Sequence, residues 1–426
     1  MTLVKSIKRI ILEENFKKRI KNFKKLIKKW KKMTKYDIKE MKEKEERVYM
    51  NPIIKWAGGK EKELPYIKES LPSKIDRYIE PFVGGGAVYF NLNINNSIIN
   101  DKSEELINLY RCIQQNDKEF FIKLKAIYKN WRLLENIVEN NSNELLKMYK
   151  EYCEELNNII DEKNIKIKFN DKIYDFVIRH SEEFNGILSA EFNIEIDNFI
   201  NEIVKNLISK MNRMYKIENQ KKKMNDKDTL DNIECAFKSA FYMHFRHLYN
   251  EYENLNINTS FYTAIFYFIR EFCYASMFRY NKNGKFNVPY GGISYNRKEF
   301  MKKIDYINSK KIMEYMSNTK IYCDDFEDFL KEIKPKKGDF IFLDPPYDTE
   351  FSTYAKNEFA KQDQIRLCEY LKTTKANIML IIKNTDFIYN LYNTKEFKIK
   401  TFDKKYLVSF QNRNDKDVEH LLITNY

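Results

Sequence analysis

A short acidic and proline-rich stretch offers the clearest chemistry in this sequence. The apolar run Phe340–Leu343 leads directly into Asp344-Pro345-Pro346-Tyr347. Such a run predicts a buried strand, which the prolines end because they lack the N–H that a sheet needs. The strand therefore brings a carboxylate, a rigid turn and an aromatic ring to the carboxyl edge of a sheet, where open α/β folds bind ligands. Taken alone, a plain strand followed by a proline turn is an equal alternative.

Glycine is scarce in this chain, and it is clustered. Ten of the 426 residues are glycine. Most of them lie in three groups: Gly58-Gly59, Gly84-Gly85-Gly86, and Gly284 with Gly291-Gly292. Clustered glycines mark places where the backbone needs a positive φ or a close approach to a ligand.

The second glycine group has the pattern of a nucleoside-binding turn. Residues 77–80 predict a strand, the glycines a tight turn, and the residues after them a helix. A second strand, residues 97–100, ends at Asp101. This acid lies about twenty residues after the first strand, where an acidic side chain accepts a ribose hydroxyl. A simple connector is the alternative, and the acid favours the nucleoside site.

The first glycine group precedes a lysine that opens a helical run. In Trp56-Ala57-Gly58-Gly59-Lys60 the helix N-terminus could hold a small anionic ligand. The spacing does not fit a Walker loop, because the four-residue spacer and the Lys-Ser/Thr pair are missing. Alone, this group is a weak indication.

A basic and aromatic segment lies between residues 279 and 292. Its side chains alternate around a Lys-Asn-Gly-Lys turn, which suits a short hairpin. Arginine, lysine and asparagine read phosphates and base edges, and an exposed tyrosine can stack on or wedge between bases. The segment therefore predicts nucleic-acid contact. An ordinary hairpin with a packed aromatic face is the alternative.

The composition is that of a folded protein with a polyanionic partner. The chain is 43% hydrophobic and 32% charged, with a formal net charge of +14. Genome composition also contributes to such lysine-rich usage. No apolar run reaches the roughly 18 residues of a membrane helix, and the N-terminus is too charged for a secretory signal. We expect a cytoplasmic protein without membrane contact.

Cysteine and histidine usage predicts neither disulfides nor a metal. Six cysteines without paired spacing indicate reduced thiols. His244 and His247 can share a helix face, but no Cys/His/Glu cluster completes a metal site.

Two helical regions accompany the predicted sheet. Residues 1–47 read as one or two amphipathic helices with 18 lysines and arginines against 7 acids, so they carry +11 of the charge. They either contact phosphates with strong salt dependence or pack on the body, and a membrane-surface helix is a third option. Residues 129–260 are polar and helical in period, which is typical of an inserted domain.

The remaining elements predict an α/β fold. Strands alternate with helices on both sides of the helical insert, and one of these helices is predicted over residues 103–128. Two further strands, residues 397–402 and 419–426, close the chain. This order indicates a Rossmann-like sheet, mostly parallel with an antiparallel edge strand.

In this order, the motifs resemble the DNA adenine-N6 methyltransferases of the Dam type, also called the D12 class. The resemblance covers about residues 51–128 and 262–426. It rests on Lys55-Trp56-Ala57-Gly58-Gly59-Lys60, Glu80-Pro81-Phe82-Val83-Gly84-Gly85-Gly86, Asn100-Asp101, Arg279-Tyr280-Asn281, Gly284 with Phe286-Asn287-Val288-Pro289-Tyr290-Gly291, Asp344-Pro345-Pro346-Tyr347 and the final Leu421-Leu422-Ile423-Thr424-Asn425-Tyr426.

The resemblance implies S-adenosylmethionine as methyl donor and double-stranded DNA as substrate. The cofactor-binding residues would be Trp56, Lys60, Glu80, Phe82, Gly84, Gly86, Asp101, Asp325, Phe326 and Asp344. Asp101 would bind the ribose, and Asp325 and Phe326 would hold the adenine. The catalytic residues would be Asp344, Pro345, Pro346 and Tyr347. The DNA-binding residues would be Arg279, Tyr280, Asn281, Lys282, Lys285, Asn287 and Pro289. Tyr280 and Asn281 would act at the space left by the flipped base.

The resemblance also implies three regions. These are a basic helical N-terminal extension (1–50), the catalytic S-adenosylmethionine-binding domain (51–128 and 300–426), and an inserted helical target-recognition domain (129–299). The extension and the length of the insert depart from a minimal family member. They are compatible with a longer target, or with a restriction–modification system that includes a cognate endonuclease. A solitary methylase without an endonuclease is the alternative. We expect the protein to be a monomer or a weak dimer.

The tetrapeptide then has a chemical role. The exocyclic amine of adenine is a poor nucleophile because its lone pair is delocalised into the ring. We hypothesise that Asp344 and the Pro345 carbonyl accept hydrogen bonds from this amine and stabilise positive charge as it develops on nitrogen. Tyr347 would stack on the flipped base, and Pro346 would fix the turn.

Other functions stay open at this point. A nicotinamide-dependent oxidoreductase shares the strand, glycine turn and acid, but leaves the tetrapeptide unexplained. An RNA base methyltransferase can share the tetrapeptide, whereas protein-amide enzymes more usually carry Asn in place of Asp344. A DNA-binding module without catalysis is a further alternative, although every chemical position is present.

Overall fold

The structure is a computed structural model that describes residues 50–56, 58–158, 162–184, 186, 194–277, 279–346, 359–405 and 417–426. The predicted basic helices of residues 1–47 and Tyr347 of the tetrapeptide lie outside these described residues. Residues 51–426 form one compact unit.

A sheet of seven strands forms the centre of the described part of this unit. The strands are, in chain order, β1 (Tyr78–Glu80), β2 (Ser97–Asn100), β3 (Thr319–Tyr322), β4 (Phe340–Leu343), β5 (Asn377–Lys383), β6 (Lys398–Lys405) and β7 (Asp417–Thr424). Their spatial order is β3-β2-β1-β4-β5-β7-β6. The first five pair in parallel, and β7 pairs antiparallel with both β5 and β6. The predicted mostly parallel α/β sheet is confirmed, with an antiparallel pair at its edge.

Helices precede, follow and separate these strands. In the described residues they are α1 (Leu64–Glu69), α2 (Ala87–Leu92), α3 (Glu104–Gln114), α4 (Lys118–Asn140), α5 (Ser142–Asn158), α6 (Glu162–Arg179), α7 (Ser181–Phe184), α8 (Ile196–Gln220), α9 (Asp226–Asn250), α10 (Thr259–Phe272), α11 (Phe300–Ile307), α12 (Lys310–Ser317), α13 (Phe326–Ile333), α14 (Lys361–Thr373) and α15 (Asp386–Tyr392). Among the described residues, no helix is both long and apolar enough to cross a membrane.

The central strand β4 is buried on both faces. All four residues of β4 are buried, and strands covered on both faces read as continuous apolar runs. Successive side chains alternate between the faces. Ile341 packs with Phe329 of α13 and Leu367 of α14 on one face. On the other, Phe340 meets Tyr78 with ring centroids 6.0 Å apart.

The helix predicted over residues 103–128 is two helices. α3 ends at Gln114, and Asn116 takes a positive φ of 51°. Asp117 then caps α4, because its side chain accepts a hydrogen bond from the Phe120 N–H. A short polar break with its own N-cap is a local signal that helical periodicity does not reveal. α4 continues to Asn140, across the boundary that the sequence analysis places after residue 128.

The helical region packs around one buried tryptophan. Trp131 of α4 is 0% exposed. Its ring lies 4.6 Å from that of Phe272, 5.5 Å from Phe268 and 5.4 Å from Tyr290, measured between centroids. Aromatic contacts of this kind add to the stabilisation from burial. They join α4 to α10 and to the segment that carries the predicted hairpin.

Candidate active site

Three of the predicted site residues follow three neighbouring strands. Phe82 comes after β1, Asp101 after β2 and Asp344 after β4, and these strands lie side by side in parallel. The carboxyl ends of parallel strands share one edge of the sheet. The strand order also reverses between β1 and β4, and open α/β sheets bind ligands at such a switch point.

Asp344 forms an ion pair with a buried lysine. Lys60 Nζ lies 2.5 Å from Asp344 Oδ1 and donates to Gly58 O at 2.8 Å. The Lys60 side chain is 2% exposed and that of Asp344 19%. A buried ammonium requires such partners because its desolvation is costly. The structure thus joins two residues that the sequence analysis assigned to separate motifs.

The proline turn after Asp344 is fixed on one side by α14. Pro345 is buried and Pro346 is exposed. The side-chain amide of Gln364 donates to the carbonyl of Pro346 at 3.5 Å. The turn is therefore anchored to the body immediately before Tyr347.

Asp101 binds the glycine turn that follows β1. Its carboxylate accepts hydrogen bonds from the Gly84 N–H at 3.0 Å and the Ser103 N–H at 3.0 Å. Burial raises the pKa of Asp101 to about 6, although these N–H donors oppose the shift. Asp101 and the glycine turn, which sequence analysis assigned to one nucleoside-binding pattern, are thus in direct contact.

The glycine turn has no room for side chains. Gly86 has a φ of 78°, and an added Cβ would lie 2.6 Å from the hydroxyl of Tyr110. A Cβ on Gly85 would lie 2.3 Å from the carbonyl of Ile54. The two glycine motifs therefore pack backbone against backbone, with the Ile53 N–H donating to Gly85 O at 3.2 Å.

Asn100 ties together the loops after β1 and β3. Its amide nitrogen donates to Pro81 O at 3.1 Å and to Asp324 O at 3.0 Å. Its amide oxygen accepts from the Asp324 N–H at 2.9 Å. One buried side chain at the end of β2 thus joins the loops after β1 and β3, although sequence analysis gave it no separate role.

The predicted adenine pair, Asp325 and Phe326, is organised by Arg366 of α14. Arg366 donates to both carboxylate oxygens of Asp325, at 3.2 and 3.3 Å. Burial raises the pKa of Asp325, but Arg366, the Glu327 N–H and the charge of Lys102 together bring it below its usual value. The guanidinium also lies 4.8 Å from the Phe326 ring, which contacts Phe82 at 5.6 Å. Arg366 belongs to no sequence motif and was missed.

Trp56 is held by α10. The Arg270 guanidinium lies 4.7 Å from the Trp56 ring and donates to Lys55 O at 2.7 Å. A Cβ on Gly84 would lie 2.9 Å from Trp56, so the ring also covers the glycine turn. Arg270 was missed because its partners are distant in sequence.

Glu80 is buried at the end of β1. It is 2% exposed, and Tyr78 donates to its Oε2 at 2.7 Å. Burial raises the pKa of Glu80 well above its usual range. The described contacts of this predicted cofactor ligand include Tyr78 of its own strand and the Tyr89 backbone of α2.

The predicted hairpin is present between residues 279 and 292, here called the hairpin. Tyr280 and Phe286 form an antiparallel bridge, and the Asn281 N–H donates to Lys285 O at 2.8 Å. Arg279 donates to the side-chain oxygen of Asn287 at 3.2 Å. Most of the predicted DNA-binding side chains are exposed: Arg279, Asn281, Lys282, Lys285 and Pro289.

Tyr280 lies inward of these exposed residues. Its ring packs edge-on against Phe286 at 6.1 Å, and its hydroxyl lies 3.0 Å from that of Tyr249. The structure therefore places the predicted wedge partly buried against α9.

One stripe of α9 donates to main-chain carbonyls in and beside the hairpin. Its members follow at intervals of four residues, so they share a helix face. The contacts are Lys238 to Asn296 O at 2.7 Å, Tyr242 to Val288 O at 3.0 Å, Arg246 to Val288 O at 3.3 Å, and Asn250 to Phe286 O at 3.0 Å. We call this stripe the donor ladder. Sequence analysis missed it, although the spacing was visible.

Comparison with known proteins decides the family. The sequence model described as D12 class N6 adenine-specific DNA methyltransferase matches residues 56–408. The chain belongs to this family. This D12-class enzyme is therefore a DNA adenine-N6 methyltransferase. The family match does not support the nicotinamide-dependent oxidoreductase or the RNA base methyltransferase as alternatives.

Individual D12-class relatives resemble the chain over most of its length. The Type II methyltransferase M.MjaIII of Methanocaldococcus jannaschii is 28% identical over 396 residues, which are 88% of this chain and 99% of that protein. The Type II methyltransferase M.CviBI of Paramecium bursaria Chlorella virus NC1A is 26% identical, over 88% of this chain and 100% of that protein. The DNA adenine methylase of Haemophilus influenzae is 22% identical, over 82% and 84%.

Proposed function

We propose that this D12-class enzyme transfers a methyl group from S-adenosylmethionine to N6 of a flipped-out adenine at a specific sequence in double-stranded DNA. The observation that carries the proposal is the edge where Asp344 follows β4 and Asp101 follows β2, on either side of β1. A nucleoside-type pocket and an amine acceptor are thereby neighbours.

The residues at this edge fit a nucleoside cofactor. Asp101, whose carboxylate accepts from the Gly84 N–H, is an acceptor suited to ribose hydroxyls. Phe82 and Phe326 offer aromatic surface for a purine. Once bound, S-adenosylmethionine supplies an electrophilic methyl group. Asp325, which Arg366 holds in place, would accept from the adenine amine of the cofactor.

Asp344 acts as a positioned acceptor for the target amine. A carboxylate has about four acceptor sites, so its ion pair with Lys60 is compatible with an amine donor. The Pro345 carbonyl supplies the second acceptor. Together they favour a pyramidal nitrogen and stabilise its developing positive charge. Asp344 works as a hydrogen-bond acceptor in this step, and the proton of the methylated nitrogen passes to solvent after methyl transfer.

The hairpin is the proposed DNA reader. Its exposed basic and amide side chains suit phosphates and base edges. Tyr280 would move into the space left by the target adenine. Extruding a base costs a few kcal/mol, and the net charge of +14 favours the DNA contacts that offset this cost.

The relatives and the free cysteines bear on the biological system and the cell compartment in which the reaction takes place. Two of the relatives named above are Type II methyltransferases, which supports a restriction–modification system with a cognate endonuclease. All six cysteines are free, as in a reducing cytoplasm. We place the enzyme there as a monomer or weak dimer.

Sequencing of modified bases tests the proposal. The full chain is expressed in a bacterial host that lacks adenine methylation, with Asp344→Ala as control. We expect N6-methyladenine at one recurrent sequence in the wild-type culture only. Unmodified adenine in both cultures, with soluble folded protein present, contradicts the proposal.

A further inference from the structure

A chain of hydrogen bonds links the ribose-binding acid to the hairpin. We propose that Glu105 and Tyr249 form a positioning relay through which cofactor bound at Asp101 sets the position of Tyr280. Bound cofactor would thereby promote extrusion of the target base. This inference rests on the proposed function, since it assigns a regulation to the same site.

The first half of the relay lies at the start of α3. Asp101 accepts from the Ser103 N–H at 3.0 Å. The Ser103 hydroxyl donates to Glu105 Oε2 at 3.3 Å. A ligand on the Asp101 carboxylate therefore acts on the short segment that orients Glu105.

The second half crosses to the hairpin. The Tyr249 hydroxyl donates to Glu105 Oε1 at 3.3 Å, and it lies 3.0 Å from the Tyr280 hydroxyl, which then donates to it. Tyr249 is 3% exposed. Its hydroxyl therefore stands between an acidic side chain of α3 and the proposed wedge.

Packing restricts where the Tyr249 hydroxyl can point. The Tyr249 ring is stacked on Tyr262, with centroids 5.2 Å apart and planes 9° apart. The edge of Phe286 closes a second side at 5.9 Å. A ring held on two sides transmits a shift of Glu105 to Tyr280 instead of absorbing it by rotation.

The relay requires that the binding of cofactor and the binding of DNA affect each other. If bound cofactor shifts Glu105 and so moves Tyr280 toward the position that DNA requires, it raises affinity for DNA, and DNA then raises affinity for cofactor by the same factor. Tyr249→Phe keeps the stacked ring and removes the hydroxyl that joins Glu105 to Tyr280. It should therefore lower the coupling factor and leave binding of cofactor alone nearly unchanged.

The test uses S-adenosylhomocysteine and a duplex that carries the sequence found by base-modification sequencing, with 2-aminopurine at the target adenine. Duplex affinity and 2-aminopurine fluorescence are measured with and without S-adenosylhomocysteine. In the wild type we expect S-adenosylhomocysteine to raise both. In Tyr249→Phe we expect the increase in affinity to be smaller by about threefold to tenfold. The affinity for S-adenosylhomocysteine alone should stay within about twofold of the wild type.

Tyr252→Phe is the matched control. Tyr252 also stacks on Tyr262, with ring centroids 4.0 Å apart, but its hydroxyl donates to Glu253 at the surface. This variant should keep the wild-type coupling. Tyr280→Phe, which removes the last hydroxyl of the relay, should match Tyr249→Phe, and the double variant should lose no more than either one.

Three results would overturn the relay. They are wild-type coupling in Tyr249→Phe, an equal loss in Tyr252→Phe, and an absence of coupling in the wild type. Failure of the proposed function has a different signature. In that case the wild-type protein transfers no methyl group from S-adenosylmethionine to the adenine-containing duplex.

Discussion

The Lys60–Asp344 ion pair defines how the proposed acceptor works. A carboxylate whose oxygen lies 2.5 Å from an ammonium is oriented by it. In the proposed mechanism, Asp344 therefore contributes a fixed geometry around the target amine.

Replacing Asp344 tests that role. Asp344→Ala removes one acceptor, and we expect methyl transfer to fall by about 10² to 10³. Tritium transfer from labelled S-adenosylmethionine to duplex DNA measures the effect. Lys60 loses this carboxylate in the variant, so thermal melting must accompany the assay. Asp344→Asn, which keeps the shape and one oxygen, should transfer more than Asp344→Ala, and wild-type rates in both contradict the role.

The pKa of Asp101 predicts a pH dependence for cofactor binding. Because burial raises this pKa to about 6, the carboxyl takes up a proton as the pH falls through that value. The ionised form is the better acceptor for ribose hydroxyls. Affinity for S-adenosylhomocysteine should therefore rise between pH 5 and pH 7, with a midpoint near 6, as measured by calorimetry.

Asp101→Asn separates this titration from others nearby. Burial also raises the pKa of Glu80, and that residue is unchanged in the variant. We expect binding at pH 7 to be about tenfold to hundredfold weaker than in the wild type, and flat with pH. A variant that keeps the wild-type pH profile assigns the titration to another group.

At the scale of elements, the loop after β1 depends on glycine for its backbone. Gly86→Ala places a Cβ at a φ of 78° and 2.6 Å from the Tyr110 hydroxyl. Left-handed strain and overpacking together should cost about 2–5 kcal/mol of unfolding free energy. Denaturant unfolding measures the loss, and cofactor affinity should fall with it.

Gly59→Ala is the control for that substitution. A Cβ there has its nearest contacts at 3.6 Å, and the residue needs no positive φ. Its unfolding free energy should stay within about 0.5 kcal/mol of the wild type. Equal losses of unfolding free energy in Gly59→Ala and Gly86→Ala would mean that strain in the turn after β1 does not cause the loss.

Local sequence patterns predicted the strands and turns. They did not predict contacts between residues that are far apart in the sequence. The run Phe340–Leu343 and the acid at Asp101 are readable because strand, turn and acid are close in sequence. The Lys60–Asp344 pair spans 284 positions, so no local pattern encodes it. Arg270 and Arg366 were missed for the same reason. The break at Asn116 was missed because three polar residues hardly disturb a helical period.

At the scale of the whole molecule, charge is distributed very unevenly. Residues 1–47 carry +11 of the +14. If this segment contacts phosphates, its deletion should weaken DNA binding and flatten the slope of log affinity against log salt. Titrations of duplex DNA between about 50 and 200 mM salt measure the slope. An unchanged slope would favour a packing role for these residues.

The donor ladder has a consequence for how target sequences change during evolution. Lys238, Tyr242, Arg246 and Asn250 bind main-chain carbonyls, which every residue type possesses. These contacts do not depend on which exposed side chains the hairpin displays at Lys282 and Asn283. Asn281, which caps the turn, and Lys285, which pairs with Glu251, are less free to change. If the hairpin reads DNA as proposed, exchange at residues 282 and 283 could shift the preferred DNA sequence while the donor ladder and Asp344 stay unchanged.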